Sequence, residues 1–353
     1  MAIILRKLKT GLDLYRKQGL KAVMIFASHR YKYPFLQVLV RVAPGWTPLK
    51  HPHVVQIEVS SKCNLRCPSC SLTRETTPAR NMALEELRSL VEKLPFRPQS
   101  VSLNGIGEAL VNPAFFEIVD LLRERSISCS FYTNGTLLNE RVRGEILRRE
   151  NISFIGISCD GASKEVFEEL RFGAKLESWR ANVEAFVAGA AKRRPSPLQI
   201  TMSTVLSRRN QHEIFDIVKL AADLGFKLIQ ISDIVENDEV TAAMALTPEE
   251  NAALDRSGIV AYAASLGVSA AFSSESKKPR PHLNCFQPWE YVQISAEGDV
   301  LPCCAILGSN KTKIMGNLHQ EDFAAIWEGP AFRDFRATAA RGTNPVCNEC
   351  PYY

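Results

Sequence analysis

Cys63, Cys67 and Cys70 stand in the run Cys-Asn-Leu-Arg-Cys-Pro-Ser-Cys, directly after a strand-like segment at 54–60. Three thiolates on one short loop can converge on a metal cluster, and they are one short of the four cysteines that usually hold a [4Fe–4S] cube. The missing ligand would leave one iron open to a small molecule. A zinc site completed by a distant fourth ligand is the competing reading, although the spacing lacks the paired CxxC knuckles of zinc fingers. Four further cysteines, Cys285, Cys303, Cys347 and Cys350, form a complete set for a closed cluster. On spacing alone a structural zinc fits them equally well. Cys304 is left over beside Cys303; facing a substrate it could donate a hydrogen atom or move a proton, and packed inward it is a small buried hydrophobe.

Other polar or glycine-rich tips follow strand-like segments. The first is Asn104-Gly105-Ile106-Gly107-Glu108, whose glycines permit close backbone approach and whose Glu108 offers a carboxylate to a cationic amine. Tyr132-Thr133-Asn134-Gly135 and Ile157-Ser158-Cys159-Asp160-Gly161 are the next two. Arg171 can hold a carboxylate bidentately or serve as a surface cation. Gln56, Glu58 and Ser60 share one face by period-2 alternation, which makes Gln56 and Glu58 substrate-contact candidates; Glu58 could instead pair with a buried arginine. Cys129 and Cys159 read as packing residues, and the six histidines show no ligand spacing.

The elements that must position these tips alternate. Strand segments at 54–60, 100–104, 128–133, 152–158, 198–205 and 227–233 are separated by amphipathic helices. Asn81, Asn112-Pro113, Ser163 and Asn210 (with Glu213 as a capping box) supply helix starts, and Gly225 a stop. Such alternation implies a parallel sheet with helical crossovers. Six units are fewer than the eight of a closed barrel, so the expected fold is α/β: a partial (β/α)6 TIM-like barrel, with ligands at the C-terminal strand ends. Thr247-Pro248-Glu249-Glu250 opens another helix, residues 273–281 read as a linker, and Gly298-Asp299 as a hairpin turn in a cysteine-rich second domain. The expected organisation is 1–52 as a basic helical N-terminal extension, 53–245 as the barrel, 246–284 as helix and linker, and 285–353 as a small cysteine-bearing domain.

The length of 353 residues and 46% hydrophobic content suit a packed globular chain. Ten cysteines without a signal-type h-region point to a reducing compartment, hence a cytoplasmic location. Residues 1–50 carry ten Lys/Arg against Asp13 alone, so the chain's +5 becomes −4 over 51–353. That arm, with Ile4, Leu8, Leu12 and Tyr15 at helical spacing, either packs on the body or lies on an anionic membrane surface as a peripheral contact. The basicity stops there, and no nucleic-acid partner is expected.

Taken together, these motifs resemble those of the radical S-adenosylmethionine (SAM) enzymes over residues 53–353. Leu65, two places before the second cysteine, also matches that family's cluster loop. The resemblance implies that Cys63, Cys67 and Cys70 hold a SAM-binding [4Fe–4S] cluster. It also implies that Gly105, Gly107 and Glu108 receive the methionine amino group, with Ala109 where proline is common. Ser158 and Asp160 would lie near the ribose and carboxylate, and Ser203, within 201–206, near the adenine. Thr133, Asn134 and Arg171 join the cofactor-binding set. Cys285, Cys303, Cys347 and Cys350 resemble the Twitch form of the SPASM domain, which holds one auxiliary [4Fe–4S] cluster; no further cysteines follow for a second.

The implied chemistry is reductive SAM cleavage to a 5′-deoxyadenosyl radical, which abstracts hydrogen from a substrate. A reduced flavodoxin or ferredoxin would supply the electron. The expected substrate is a small polar, carbohydrate-like molecule undergoing two-electron oxidation. The alternatives are a radical epimerase or decarboxylase with Cys304 as hydrogen donor, a peptide-modifying enzyme, or an enzyme acting on a membrane lipid. A non-enzymatic iron–sulfur electron carrier or zinc module is the remaining rival, and it needs neither Glu108 nor the glycine turn.

Overall fold

The computed structural model describes residues 51–74, 78–194, 198–236, 238–272, 285, 287–303, 313–348 and 350. Nearly all of the N-terminal extension, the linker at 273–281 and Cys304 lie outside them. Seven strands follow one another in parallel: β1 (Val54–Ile57), β2 (Ser100–Ser102), β3 (Ser128–Thr133), β4 (Ile152–Ser158), β5 (Gln199–Leu206), β6 (Leu228–Asp233) and β7 (Ser269–Phe272). The connections carry α1 (Leu84–Lys93), α2 (Phe115–Glu124), α3 (Glu140–Leu147), α4 (Lys164–Leu170), α5 (Leu176–Ala191), α6 (Ile214–Asp223), α7 (Glu239–Met244), α8 (Pro248–Ala253) and α9 (Arg256–Ser265). Among the described strands the sheet does not close, as expected of a partial barrel.

Two features extend that expectation. β7 adds a seventh parallel strand beside β6, with Leu228–Ser269 to Ile231–Phe272 in register, inside a stretch read as helix and linker. Its sequence, Ser-Ala-Ala-Phe, has small residues and little alternation, so it carries a weak strand signal. On the other flank β8 (Tyr291–Ile294) pairs parallel with β1, and β9 (Asp299–Leu301) and β10 (Gly316–Asn317) continue antiparallel. The cysteine-rich segment therefore prolongs the barrel sheet. Gly298 at φ +84° makes the β8–β9 turn in a conformation that a side chain disfavours.

The strands present two chemically different faces. Toward the helices Val55, Ile57, Cys129, Phe131, Ile155, Ile157 and Met202 are buried and meet Leu87, Leu90, Ile118, Leu122, Val183 and Ile217. Removing such side chains from water is worth about 1.5–3 kcal/mol each. The inner face is polar, running Gln293–Gln56–Ser102–Ser130 in register on one side and Ser158–Ser203–Gln230 on the other. An apolar exterior against helices and a polar interior fix which end and side can receive a ligand.

Several helix starts differ from the expected ones. Asn81 does not cap α1; it accepts from the Ser60 hydroxyl (2.7 Å), and Glu86 reaches back to the Ala83 N–H (2.7 Å). Asn112 ends a 3-10 turn, Ala109–Val111, and α2 begins at Phe115. Asn210 accepts from the Ser207 N–H (2.8 Å), so Glu213 has no capping-box partner there. Glu213 instead accepts from the Ser163 hydroxyl and the Ala162 N–H (2.7 Å), tying α6 to the start of α4. Ser163 and Thr247 do cap α4 and α8.

In the C-terminal segment Trp289, Trp327 and Phe332 are core. Arg336 is buried with them, its guanidinium over Trp327 (4.2 Å) and Phe332 (4.7 Å). It donates to the carbonyls of Pro288 (2.9 Å) and Trp327 (2.8 Å), and burial pulls its pKa down. Among the described residues no helix is long and apolar enough to cross a membrane.

Candidate functional site

The loop after β1 must leave the sheet and turn back over its end. It is anchored from both sides. Glu108 donates its N–H to the Lys62 carbonyl (2.8 Å), and the Arg66 N–H reaches the Phe172 carbonyl (3.0 Å). Gly107 permits the first anchor: a Cβ there would stand 2.5 Å from the carbonyl oxygens of Lys62 and Ser60. Gly105 similarly leaves room for the Glu58 side chain. The glycines of this turn thus serve contact with the cysteine loop, where ligand approach was the expected reason.

Cys63, Cys67 and Cys70 share one wall of a cavity of about 1040 Å³ at the C-terminal strand ends. All three are free and partly exposed. The Leu65 N–H points at the Cys63 sulfur (3.4 Å) and the Asn134 amide at the same atom (3.9 Å). Burial pushes the Cys63 thiol up and the Cys67 thiol to about 11; for Cys67, the Arg171 charge works in the other direction. Partly buried thiols, with N–H donors aimed at Cys63, suit a site where a cationic metal centre stabilises the thiolate. Among the described residues no three His, Cys, Asp or Glu side chains crowd onto a single-ion centre. The donor set of the loop, three soft thiols without a histidine or carboxylate between them, fits an iron–sulfur cluster.

The neighbouring strand ends supply the polar wall. Glu108 is buried, with one oxygen accepting from the Thr133 hydroxyl (2.8 Å) and the other from the Asn134 N–H (2.7 Å). Burial raises its pKa against these bonds. Asn134 also donates to Asn64 in the cysteine loop (2.9 Å). Asp160 accepts from the Val205 N–H (2.8 Å) and pairs with Arg171 at 2.7 Å. Burial pushes Asp160 up while Arg171 opposes it. Arg171 is therefore no surface cation: it lines the cavity with Asp160 and Ser158, and its Nε is buried without a partner.

Of the sequence-derived candidates, Cys63, Cys67, Cys70, Gly107, Glu108, Thr133, Asn134, Ser158, Asp160 and Arg171 line this one cavity. Gly105 sits behind it. Ser203 lies one layer below on β5, and Val205 takes the lining position. Glu58 is 2% exposed and accepts from the backbone N–H of Ile106 (2.8 Å) and Ala296 (3.2 Å). It braces the glycine turn against the C-terminal segment, which corrects its reading as a substrate contact. Gln56, mid-strand on the inner face, does not reach the cavity either. Cys129 and Cys159 are fully buried, as expected.

The far wall was not anticipated. Ser232, Asp233, Leu246, Pro248, Asn251 and Arg256 form it. Arg256 approaches Asp233 at 3.3 Å and lies over the Phe272 ring at 5.3 Å. Asp233 ends β6 and could have been found by the strand-end rule; Arg256, on a later helix, has no such signal. Tyr132 is a further lining residue, its hydroxyl 3.3 Å from Gln230 and its ring seated where Gly156 has no side chain.

In the second set, Cys350 donates its N–H to the Cys347 carbonyl (3.2 Å). Burial pushes the Cys347 thiol up to about 12, with Cys285 and Cys350 near enough to add to the effect. Trp289 and Ala339 pack beside Cys347. Cys303 follows β9 and is partly buried against the main core.

Residues 57–221 match the model of the Radical SAM superfamily, and residues 285–351 match SPASM, an iron–sulfur cluster-binding domain. An AdoMet-dependent heme synthase of Methanosarcina barkeri is 24% identical over 308 residues, 81% of this chain and 85% of the relative. A PqqA peptide cyclase of Xanthomonas campestris is 25% identical over 316 residues, 85% and 79% of the two chains. In three dimensions, Streptococcus suis SuiB bound to its precursor peptide SuiA superposes with a TM-score of 0.67 at 17% identity, over 95% of this chain and 78% of that one.

Proposed function

The chain is a radical SAM enzyme with a SPASM-type domain, carrying a SAM-binding [4Fe–4S] cluster, an auxiliary cluster and SAM, and we propose that it modifies a peptide. The observation that carries this reading is the cavity. Its volume of about 1040 Å³ stands at the upper end of the roughly 300–1,000 Å³ of small-molecule sites. The cluster and SAM would share that volume with the reacting part of the substrate, so a larger substrate would enter it only in part. A peptide cyclase among the relatives and a peptide-bound structure among the neighbours support the same reading. They favour the peptide alternative over a carbohydrate-like substrate, for which they offer no support.

Cys63, Cys67 and Cys70 would hold the first cluster, and Cys285, Cys303, Cys347 and Cys350 one auxiliary cluster. The bound cluster and SAM supply one-electron radical chemistry; the chain supplies position and exclusion. Glu108, fixed by Thr133 and Asn134, presents negative charge to the amine end of SAM. Arg171, held by Asp160, presents positive charge to its carboxylate. Opposite charges fixed on separate strand ends orient a zwitterion in one direction, and rigid orientation lowers the entropic part of the barrier. Ile106 and Leu65 on one side and Leu246 and Pro248 on the other restrict water. The proposed domain division extends the barrel past 245 to the end of β7 at Phe272 and keeps 285–353 as the auxiliary unit, whose β8 joins the barrel sheet beside β1.

The test is anaerobic reconstitution followed by dithionite-driven turnover with SAM, alone and with candidate peptides. The expected result is 5′-deoxyadenosine in both cases, and with the substrate peptide a mass change accompanied by transfer of its deuterium label into 5′-deoxyadenosine. Both iron centres loaded and no 5′-deoxyadenosine would favour an electron carrier.

A further inference from the structure

Three residues in or against the cysteine loop, Lys62, Arg66 and Phe172, do not line the cavity. Phe172 is 63% exposed, the most open of the large apolar side chains described. Its carbonyl accepts from the Arg66 N–H at 3.0 Å, which seats it against the residue between Cys63 and Cys67. Arg66 folds its guanidinium onto the carbonyls of Cys63 and Leu65 (both 2.9 Å) and stays exposed. Lys62, at the entry of the same loop, is exposed too. Neither cation forms an ion pair among the described residues.

Two acids of the neighbouring helix α4 are already balanced: Glu168 pairs with Lys175 at 2.6 Å and Glu169 with Arg209 at 3.4 Å. Lys62 and Arg66 are the surplus, on a body whose net charge over 51–353 is −4. An exposed aromatic with unpaired cations beside it is the composition of a protein contact, and cations of this kind steer a partner of opposite charge.

We propose that Phe172, Arg66 and Lys62 form the docking surface for the enzyme's electron donor, an acidic one-electron carrier protein. The inference rests on the cysteine loop holding the cluster, as proposed above. In the docked complex the carrier's reduced cofactor loses one electron and the centre in the loop gains it; no atom or proton need cross. The placement is economical, since the contact residues lie in or against the loop that carries the thiols.

The experiment compares two electron sources on the reconstituted holoenzyme, using 5′-deoxyadenosine formation from SAM without substrate. One source is dithionite; the other is a reduced flavodoxin or, in a parallel arm, a reduced ferredoxin. Lys62→Glu and Phe172→Ser are made separately and together, and binding of each oxidised carrier is titrated calorimetrically as a second readout. The expected result is a loss of about tenfold or more in carrier-driven rate and in carrier affinity for the double variant, with wild-type binding that weakens as salt rises. Its dithionite-driven rate and iron content stay at the wild-type level. The arm that shows the loss identifies the carrier class. Equal carrier-driven rates in variant and wild type would overturn the proposal, and so would a parallel loss with dithionite, which would mean that the patch only supports the loop. Absence of dithionite-driven product in the wild type would instead count against the functional reading.

Discussion

Cys63, Cys67 and Cys70 come from one run of eight residues, whereas Cys285, Cys303, Cys347 and Cys350 are gathered across sixty-six. The first group is braced by hydrogen bonds from the ends of β2 and β3 and shares its cavity with an arginine–carboxylate pair. The second leans on an aromatic core, with Trp289 beside Cys347 and Arg336 stacked on Trp327 and Phe332. Three thiols in a ligand cavity leave coordination space open, whereas four thiols on one cluster would not. On the proposed ligand sets, the difference separates a centre built to meet a small molecule from one built to stay intact.

Serine at Cys63, Cys67 and Cys70 together gives the largest expected effect: loss of about four irons per chain and of all 5′-deoxyadenosine formation. Serine at Cys347 and Cys350 costs a similar amount of iron but leaves SAM cleavage detectable. Iron assay and product chromatography on the two variants check the contrast; equal loss of SAM cleavage in both would erase the division of labour.

Arg171→Gln comes next. It strands the Asp160 carboxylate in a buried site, at a cost of about 3–5 kcal/mol, read by denaturant unfolding, and it weakens SAM binding measured by calorimetry. Gly107→Ala should be milder. Its methyl group meets the carbonyls of Lys62 and Ser60, a misfit worth about 1–3 kcal/mol, and iron should be lost selectively from the first centre.

Glu213→Gln should have the smallest effect, about 1–2 kcal/mol, with both centres retained. Burial opposes the Glu213 charge, but the Ser163 hydroxyl and two backbone N–H groups outweigh it and hold the carboxyl below its usual range. Its contribution is therefore complete above the ordinary glutamate pKa and fades as pH falls through the lower folded value. The glutamine variant should lose this part of the acid sensitivity in thermal melts.

The strands at 128–133 and 152–158 were legible to the residue, because alternating polar and apolar side chains and flanking turns agree there. The cavity's near wall was equally legible, since strand-end tips carry their chemistry in contiguous residues. The far wall was not: Arg256 reaches Asp233 from a helix 23 residues on, and only tertiary packing puts them together. β7 escaped because Ala270 and Ala271 give no strand signature. Glu58 and Glu213 were misread for one reason. Each carboxylate has backbone or hydroxyl donors from a distant segment, and no local pattern announces them.

The most direct measurement is electron paramagnetic resonance of the reduced Cys347→Ser/Cys350→Ser protein, with and without SAM. A [4Fe–4S] signal that shifts when SAM is added is the predicted result, because the remaining centre has an iron without a protein ligand. A signal indifferent to SAM, or zinc in place of iron at Cys63, Cys67 and Cys70, would contradict the account.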